Sequence, residues 1–73
     1  MDAKLVYFYA EIDPEYNNEC IGLHRSSVKP EDINNPTWIH IPVYDPEYEA
    51  KYYINGNWYE DAEGTIPWTS SLI

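Results

Sequence analysis

An Asn-Gly pair, Asn55-Gly56, lies at the centre of the stretch KYYINGNWYED, which spans residues 51–61. Asn-Gly between alternating large residues is the strongest short-range indication of a β-hairpin, because a type I′ turn needs a positive φ at both central positions. With these two residues in the turn, the register of the hairpin is fixed. It places the following residues opposite each other: Lys51 and Glu60, Tyr52 and Tyr59, Tyr53 and Trp58, and Ile54 and Asn57.

This register gives the hairpin two faces, and neither of them is plainly polar. One face carries Tyr53 and Trp58 beside the Lys51–Glu60 charge pair, and the other carries the remaining aromatic and aliphatic residues: Tyr52, Ile54 and Tyr59. We expect one face to close the domain's own core. The other aromatic face then has no mate within the chain, and we expect another molecule to cover it.

Three further segments are typical of β-strands. Residues 5–12 are rich in β-branched and aromatic residues, and strand alternation gives them one wholly apolar face, which should meet the core: Val6, Phe8, Ala10 and Ile12. Residues 20–26 should pair antiparallel with this strand, and residues 37–41 form a third strand that Pro42 ends. We therefore predict a single mostly β domain over residues 1–73, a small antiparallel sheet of about five short strands with a C-terminal β-hairpin.

The tetrapeptide Asp-Pro-Glu-Tyr occurs twice, at residues 13–16 and 45–48. The flanking sequences do not match, so we interpret the two copies as one kind of turn used twice rather than as a duplication. In each copy Asp should cap the turn, Pro should fix φ, and Tyr should fold back onto the sheet. Between the second and third strands, Pro30 favours one short helical turn.

The chain has thirteen acidic and four basic residues, a formal net charge of −9. The bases (Lys4, Arg25, Lys29 and Lys51) are too few and too scattered to form the basic stripe that phosphate binding needs. Anionic membranes are disfavoured for the same reason, so we expect neither nucleic acid nor membrane as a partner. The acids lie mostly in predicted turns, where they should form a soluble exterior.

No residue pattern indicates catalysis. Cys20 is the only cysteine and lies in an apolar run, which favours a small buried hydrophobe and excludes an internal disulfide. His24 and His40 have no second metal ligand at a suitable spacing, and no nucleophile–base set or glycine-rich phosphate loop is present. We predict a protein that is not an enzyme, with no catalytic residue, metal or cofactor.

Aromatic residues are abundant, at 16% of the chain. Rigid aromatic side chains anchor protein interfaces as well as small cores. As candidate interface residues we take Trp38, Tyr52, Tyr53, Trp58, Tyr59 and Trp68. Trp and Tyr beside acids and amides also describe a sugar-binding platform, for which the candidates are Trp38, Tyr53, Trp58 and Trp68.

The stretches VYFYAEID, CIGL and IPVYDPEYEAKYYINGNWYEDAEGTIPW, between Val6 and Trp68, resemble small proteins and modules of the tail fibres and baseplates of tailed bacteriophages. Two departures from that pattern stand out. The loop at residues 13–19 is longer than the usual tight turn, and Glu49-Ala50 stands where glycine is usual before the Lys-Tyr pair.

The resemblance implies a structural interaction protein of a phage particle, made in the host cytoplasm and located in the virion. Its partners would be other virion proteins or sister subunits, in a homo-oligomer or attached to a larger protein. Two alternatives from other classes remain. One is a carbohydrate-binding module that contacts a host-surface glycan, and the other is an acidic inhibitor that mimics DNA and binds a host protein.

Overall fold

The computed structural model describes residues 5–73 and confirms the predicted mostly β fold. It consists of one antiparallel sheet with the strand order β3-β1-β2-β4-β5. The strands are β1 (Tyr7–Asp13), β2 (Glu19–Ser26), β3 (Trp38–Ile41), β4 (Tyr52–Ile54) and β5 (Asn57–Tyr59). The helical segments are single 3-10 turns of three residues each: Pro14–Tyr16, Pro30–Asp32 and Pro46–Tyr48. No helix in the described part of the chain has the length and apolarity needed to cross a membrane.

β1 is the central strand of the larger part of the sheet, with β2 on one side and β3 on the other. It pairs antiparallel with β2, as predicted. The register shifts by one residue where Glu11 faces Gly22 but Ile12 faces Cys20, so Ile21 bulges out of the strand and is 54% exposed. Because side chains alternate along a strand, the extra residue is what lets both Cys20 and Leu23 lie on the core side.

The core lies on the face predicted from the alternation of residues 5–12. Its fully buried members are Ala10, Cys20, Ile41 and Tyr48, and they are joined by partly buried side chains that include Phe8 and Trp58. The prediction fails for Val6, which is 44% exposed. β1 begins at Tyr7, opposite the last residue of β2, so no neighbouring strand reaches as far as Val6.

The opposite face of the sheet is covered as well, which the alternation of residues 5–12 does not predict. Tyr9 is only 1% exposed, and its hydroxyl donates a hydrogen bond of 2.6 Å to the carbonyl of Val28 in the connection between β2 and β3. That connection contains the short helical turn predicted at Pro30. Desolvation by burial raises the pKa of Tyr9 above its ordinary value.

The β4–β5 hairpin has the register predicted from the Asn-Gly pair. Asn55 and Gly56 adopt φ values of 51° and 85°, and the Lys51 Nζ lies 4.0 Å from Glu60 Oε1. The outer edge of β5 is covered by the segment around Pro67, which forms an isolated antiparallel bridge with Tyr59. The hairpin pairs with the rest of the sheet over a narrow junction centred on Tyr52 and Glu19. Backbone hydrogen bonds on either side of this pair join Tyr53 to Asn18 and Cys20 to Lys51.

The two Asp-Pro-Glu-Tyr copies form the same capped 3-10 turn. The Asp13 and Asp45 carboxylates each accept a hydrogen bond of 2.9 Å from the backbone N–H two residues later. The tyrosines differ. Tyr48 folds back into the core and is 2% exposed, whereas Tyr16 points into solvent and is 65% exposed, so the prediction is right for Tyr48 and wrong for Tyr16.

Candidate functional site

An open groove of about 230 Å³ lies between the second Asp-Pro-Glu-Tyr turn, the hairpin and the C-terminal segment. We call it the Tyr48 groove. Tyr48, the most deeply buried residue in contact with it, forms its floor, and the indoles of Trp58 and Trp68 form its walls. Asn57 and Thr69 lie at its rim and are exposed. No residue that lines the groove has a charged side chain.

The floor of the groove is held in place by Asp45. This carboxylate caps the 3-10 turn that carries Tyr48, and it also accepts a hydrogen bond of 2.5 Å from the Ser70 hydroxyl. Ser70 Oγ in turn accepts a hydrogen bond of 3.1 Å from the backbone N–H of Leu72. Asp45 is 3% exposed and so does not belong to the soluble exterior predicted for the acids; its hydrogen bonds tie the C-terminal segment to the turn.

The aromatic rings of the groove pack edge to face. The ring centroid of Tyr48 lies 5.1 Å from that of Trp58 and 4.9 Å from that of Trp68, at interplanar angles of 72° and 81°. Tyr53 supports Trp58 at 5.0 Å, and the Lys51 ammonium lies 5.2 Å from the centre of the Trp68 ring. Edge-to-face pairs of this kind contribute about 0.5–1.5 kcal/mol beyond burial, so the walls of the groove are rigid.

The hydroxyl of Tyr48 has no hydrogen-bond partner within residues 5–73, although the residue is almost completely buried. Every fully enclosed polar side-chain atom among these residues has a partner. The Tyr48 oxygen is therefore not fully enclosed, and the groove is the opening that this side chain lines. Burial, and secondarily the charge of Asp45, raise the pKa of Tyr48, so the phenol is a neutral donor at physiological pH.

Five of the six predicted interface residues lie on or beside the hairpin. Trp58 and Trp68 line the groove, Tyr53 packs behind Trp58, and Tyr52 and Tyr59 face each other on the opposite side of the hairpin. On that opposite side, Ile54 is partly covered by the turn at Gly64. All five side chains are half-buried, and the face that closes the core is the one with Trp58.

Trp38 lies apart from the other five. It belongs to the edge strand β3 and is separated from the hairpin by β1 and β2, a distance of about 14 Å at ordinary strand spacing. Its indole stacks on the His24 ring with centroids 4.1 Å apart, and His24 Nε2 lies 2.8 Å from Glu11 Oε1. His24 is thus half-buried on the central strand β2, whereas His40 is exposed on the edge strand β3.

The other side chains that could take part in chemistry either have hydrogen-bond partners within the fold or are buried in it. Asp61 accepts hydrogen bonds from the Thr65 hydroxyl and from the backbone N–H groups of Thr65 and Ile66, and the Thr65 hydroxyl is the main cause of its lowered pKa. Cys20 is buried as predicted, and desolvation raises the pKa of its thiol. Within residues 5–73 no group of three His, Cys, Asp or Glu side chains could hold a metal ion.

The interface candidates predicted from the sequence include the walls of the Tyr48 groove but neither its floor nor its rim. Tyr48 is expected to fold onto the sheet but is not among the candidate site residues, and neither Asn57 nor Thr69 belongs to any recognisable motif. The one indication available in the sequence is the second Asp-Pro-Glu-Tyr turn, which sends Tyr48 toward the hairpin. Comparison with protein-family models, with curated proteins and with solved structures finds no match to this chain.

Proposed function

We propose that this protein is a structural interaction protein of a bacteriophage particle, a component of a tail fibre, baseplate or another virion appendage. It binds sister subunits or other virion proteins. The phage assignment is supported by the resemblance of the motifs between Val6 and Trp68 to tail-fibre and baseplate modules. The interaction role is supported by the surface described below.

The observation that carries the proposal is that the protein buries few hydrophobic side chains and exposes many. Among the described residues, six hydrophobic side chains are buried, whereas nine large hydrophobic side chains are exposed. The molecule measures 46 × 26 × 17 Å, so it is thin in one dimension. A chain of this size buries only about 60% of its unfolded surface, and covering exposed apolar side chains with a second chain adds roughly 25 cal/mol per Å².

Four of the nine exposed side chains gather around one end of the sheet. Leu5 and Val6 precede β1, Val28 follows β2, and Tyr44 follows β3, and these strand ends are adjacent because the strands are antiparallel. We call these four residues the sheet-end patch. Tyr44 packs edge to face against Phe8 and under Arg25, so its ring is already ordered before a partner binds.

The hairpin offers a second contact surface on the side away from the Tyr48 groove. Tyr52 and Tyr59 lie directly opposite each other, and neither ring stacks on another aromatic ring within residues 5–73. Tyrosine gives large contact area at low entropic cost and is enriched at interfaces. The net charge of −9 keeps the free subunit soluble before assembly.

Mass spectrometry of purified particles tests the proposal most directly. We expect the protein to be present at a fixed ratio to the tail proteins, and the isolated protein to form oligomers in size-exclusion chromatography with light scattering or to bind particles that lack it. A protein that stays monomeric, and that neither occurs in particles nor binds them, would contradict the proposal.

A pair of matched double variants then locates the contact. Val6→Ser with Tyr44→Ser removes one aliphatic and one aromatic residue of the sheet-end patch, and Tyr16→Ser with Ile21→Ser removes an equivalent exposed pair outside it. We expect only the first double variant to weaken oligomer formation or particle binding. Equal loss in both would show that the sheet-end patch is not the contact surface.

A further inference from the structure

We propose that the Tyr48 groove binds one neutral pyranose ring of a glycan. This site is distinct from the assembly surfaces proposed above, because it is lined by neither Tyr52 nor Tyr59 and by no residue of the sheet-end patch. Four features of the groove carry the inference: its charge, its aromatic walls, its polar groups and its size.

None of the residues that line the groove has a charged side chain, although the protein is strongly charged. The chain has thirteen acidic and four basic residues, yet none of them lines the groove. The Lys51 ammonium lies close by, on the Trp68 ring. A charged group of a ligand would find no lining side chain to pair with, and moving a charge out of water without a partner is costly. The lining side chains therefore favour a neutral ligand.

The aromatic walls favour a ligand with polarised C–H groups. The faces of Trp58 and Trp68 carry the negative side of the ring quadrupole. One side of a pyranose ring presents several C–H groups made slightly positive by the neighbouring oxygens, so it packs well on such a face. The rings of Trp58 and Trp68 are fixed by Tyr48 and Tyr53, so binding does not have to order them.

The polar groups of the groove suit hydroxyls. The Tyr48 hydroxyl has no partner within the described residues and is not fully enclosed, and a sugar hydroxyl can both donate to it and accept from it. The indole N–H groups of Trp58 and Trp68 also have no partner there and are not enclosed. The Thr69 hydroxyl adds a donor and an acceptor at the rim.

The size of the groove limits the ligand to about one ring. Its volume of about 230 Å³ is smaller than the roughly 300–1,000 Å³ of sites for drug-sized ligands. The groove is open to solvent along the rim, so the rest of a glycan chain can leave it without a clash. A terminal or an internal sugar residue would therefore fit.

Titration followed by NMR of the three indole N–H resonances tests the proposal. The probes are methyl pyranosides of glucose, galactose, mannose and N-acetylglucosamine at up to about 50 mM, well above a Kd of the millimolar order. We expect at least one of them to shift the Trp58 and Trp68 resonances and to leave Trp38 unchanged, because Trp38 lies across the sheet. Cyclohexanol, a ring of similar size with one hydroxyl, should shift them less.

Two variants separate recognition from folding. Tyr48→Phe keeps the ring and removes only the hydroxyl, and Thr69→Val removes the hydroxyl of an exposed rim residue. Each should lower the affinity about 3- to 10-fold, the loss of one net hydrogen bond, while the far-ultraviolet spectrum stays the same. Tyr16→Phe, at the exposed tyrosine of the other Asp-Pro-Glu-Tyr turn, is the control and should bind normally.

Three results would overturn the proposal. The first is no shift of the Trp58 and Trp68 resonances with any of the four pyranosides. The second is equal affinity in the wild type, Tyr48→Phe and Thr69→Val, which would place the sugar elsewhere. The third is a change in these resonances that follows protein concentration instead of sugar, which would mean that a second copy of the chain occupies the groove. None of these results bears on whether the protein is found in particles.

Discussion

The two Asp-Pro-Glu-Tyr turns have the same four residues and the same backbone, but they have different roles. Each begins with an Asp cap and continues as a 3-10 turn. After Tyr16, Asn17 and Asn18 both take positive φ and the chain turns directly into β2, whereas after Tyr48 the chain first extends at Glu49 and only then reverses at Ala50. The tetrapeptide therefore determines the turn, and the residues that follow determine where the tyrosine goes.

Because the chain continues differently after the two turns, their surroundings also differ. The first turn forms a tip of the molecule, with Pro14, Glu15 and Tyr16 all exposed. The second is folded against the core, where Asp45 binds Ser70 and Tyr48 supports both groove tryptophans. Equivalent substitutions in the two turns should therefore have unequal effects, which gives a direct way to test the comparison.

Replacing the two tyrosines by alanine should give the largest difference. Tyr48→Ala opens a cavity in the core and should lower the free energy of unfolding by about 3–5 kcal/mol. That is a large share of the roughly 4–11 kcal/mol expected for 73 residues. Tyr16→Ala should change it by less than about 0.5 kcal/mol. Urea denaturation measures both, and similar losses would mean that the two tyrosines are buried alike.

Replacing the capping aspartates should give the next largest difference. Asp13→Ala loses a cap, at about 1 kcal/mol. Asp45→Ala loses a cap and also leaves the buried Ser70 hydroxyl without its acceptor, so the cost should be about 2–4 kcal/mol.

The double variant Asp45→Ala with Ser70→Ala is the control for this explanation. It removes both partners of the Asp45–Ser70 hydrogen bond, so it should recover part of the loss seen in Asp45→Ala alone. Thermal unfolding of the three proteins gives the order of stability. Equal costs for Asp13→Ala and Asp45→Ala would contradict the structural role of the second cap.

Glycine substitutions at the residues that follow the two turns should have different effects on stability. Ala50 is exposed and has a φ of 73°, a region that favours glycine, and it occupies the position where the resemblance to phage modules leads one to expect glycine. Ala50→Gly should therefore stabilise the fold by about 0.5–1 kcal/mol. Asn17 has a similar φ of 59°, but asparagine tolerates it, so Asn17→Gly should be nearly neutral. A loss of stability in Ala50→Gly would contradict this account.

The smallest effect should be a difference in alkaline stability. The pKa of Tyr48 is raised in the folded state, so the stability linked to it is complete below the ordinary tyrosine pKa near 10 and is lost as pH rises above that value. Tyr48→Phe should flatten this loss, and the part that remains comes from Tyr9 and Cys20, whose pKa values are raised by burial as well. Urea titrations between about pH 8 and 11 measure the slope, with Tyr16→Phe as the exposed control.

The sequence predicts local structure well because the deciding interactions are local. The Asn-Gly pair determines the hairpin register, prolines end strands and begin turns, and alternation identifies the core face of β1. The sequence does not predict features that depend on contacts between distant segments. The exposure of Val6 depends on where β2 stops, and the burial of Tyr9 depends on a carbonyl 19 residues away. The groove depends on three separate segments, so its walls are recognisable as aromatic candidates but its floor and rim are not.

The narrow junction between β2 and β4 has a consequence for the order of folding. Hairpins form in about 1–10 μs because their contacts are close in sequence, whereas Glu19 and Tyr52 must meet across 33 positions of chain. Closing that long loop costs conformational entropy before the stabilising contacts between its ends can form, and this cost slows the step. We expect the hairpin to form early and to dock late. The residues that line the Tyr48 groove all lie within residues 42–73, so the groove itself can form before this step. Trp58 and Trp68 pack against the core that contains Ala10 and Cys20, so their fluorescence should report the late docking as the slowest phase of refolding.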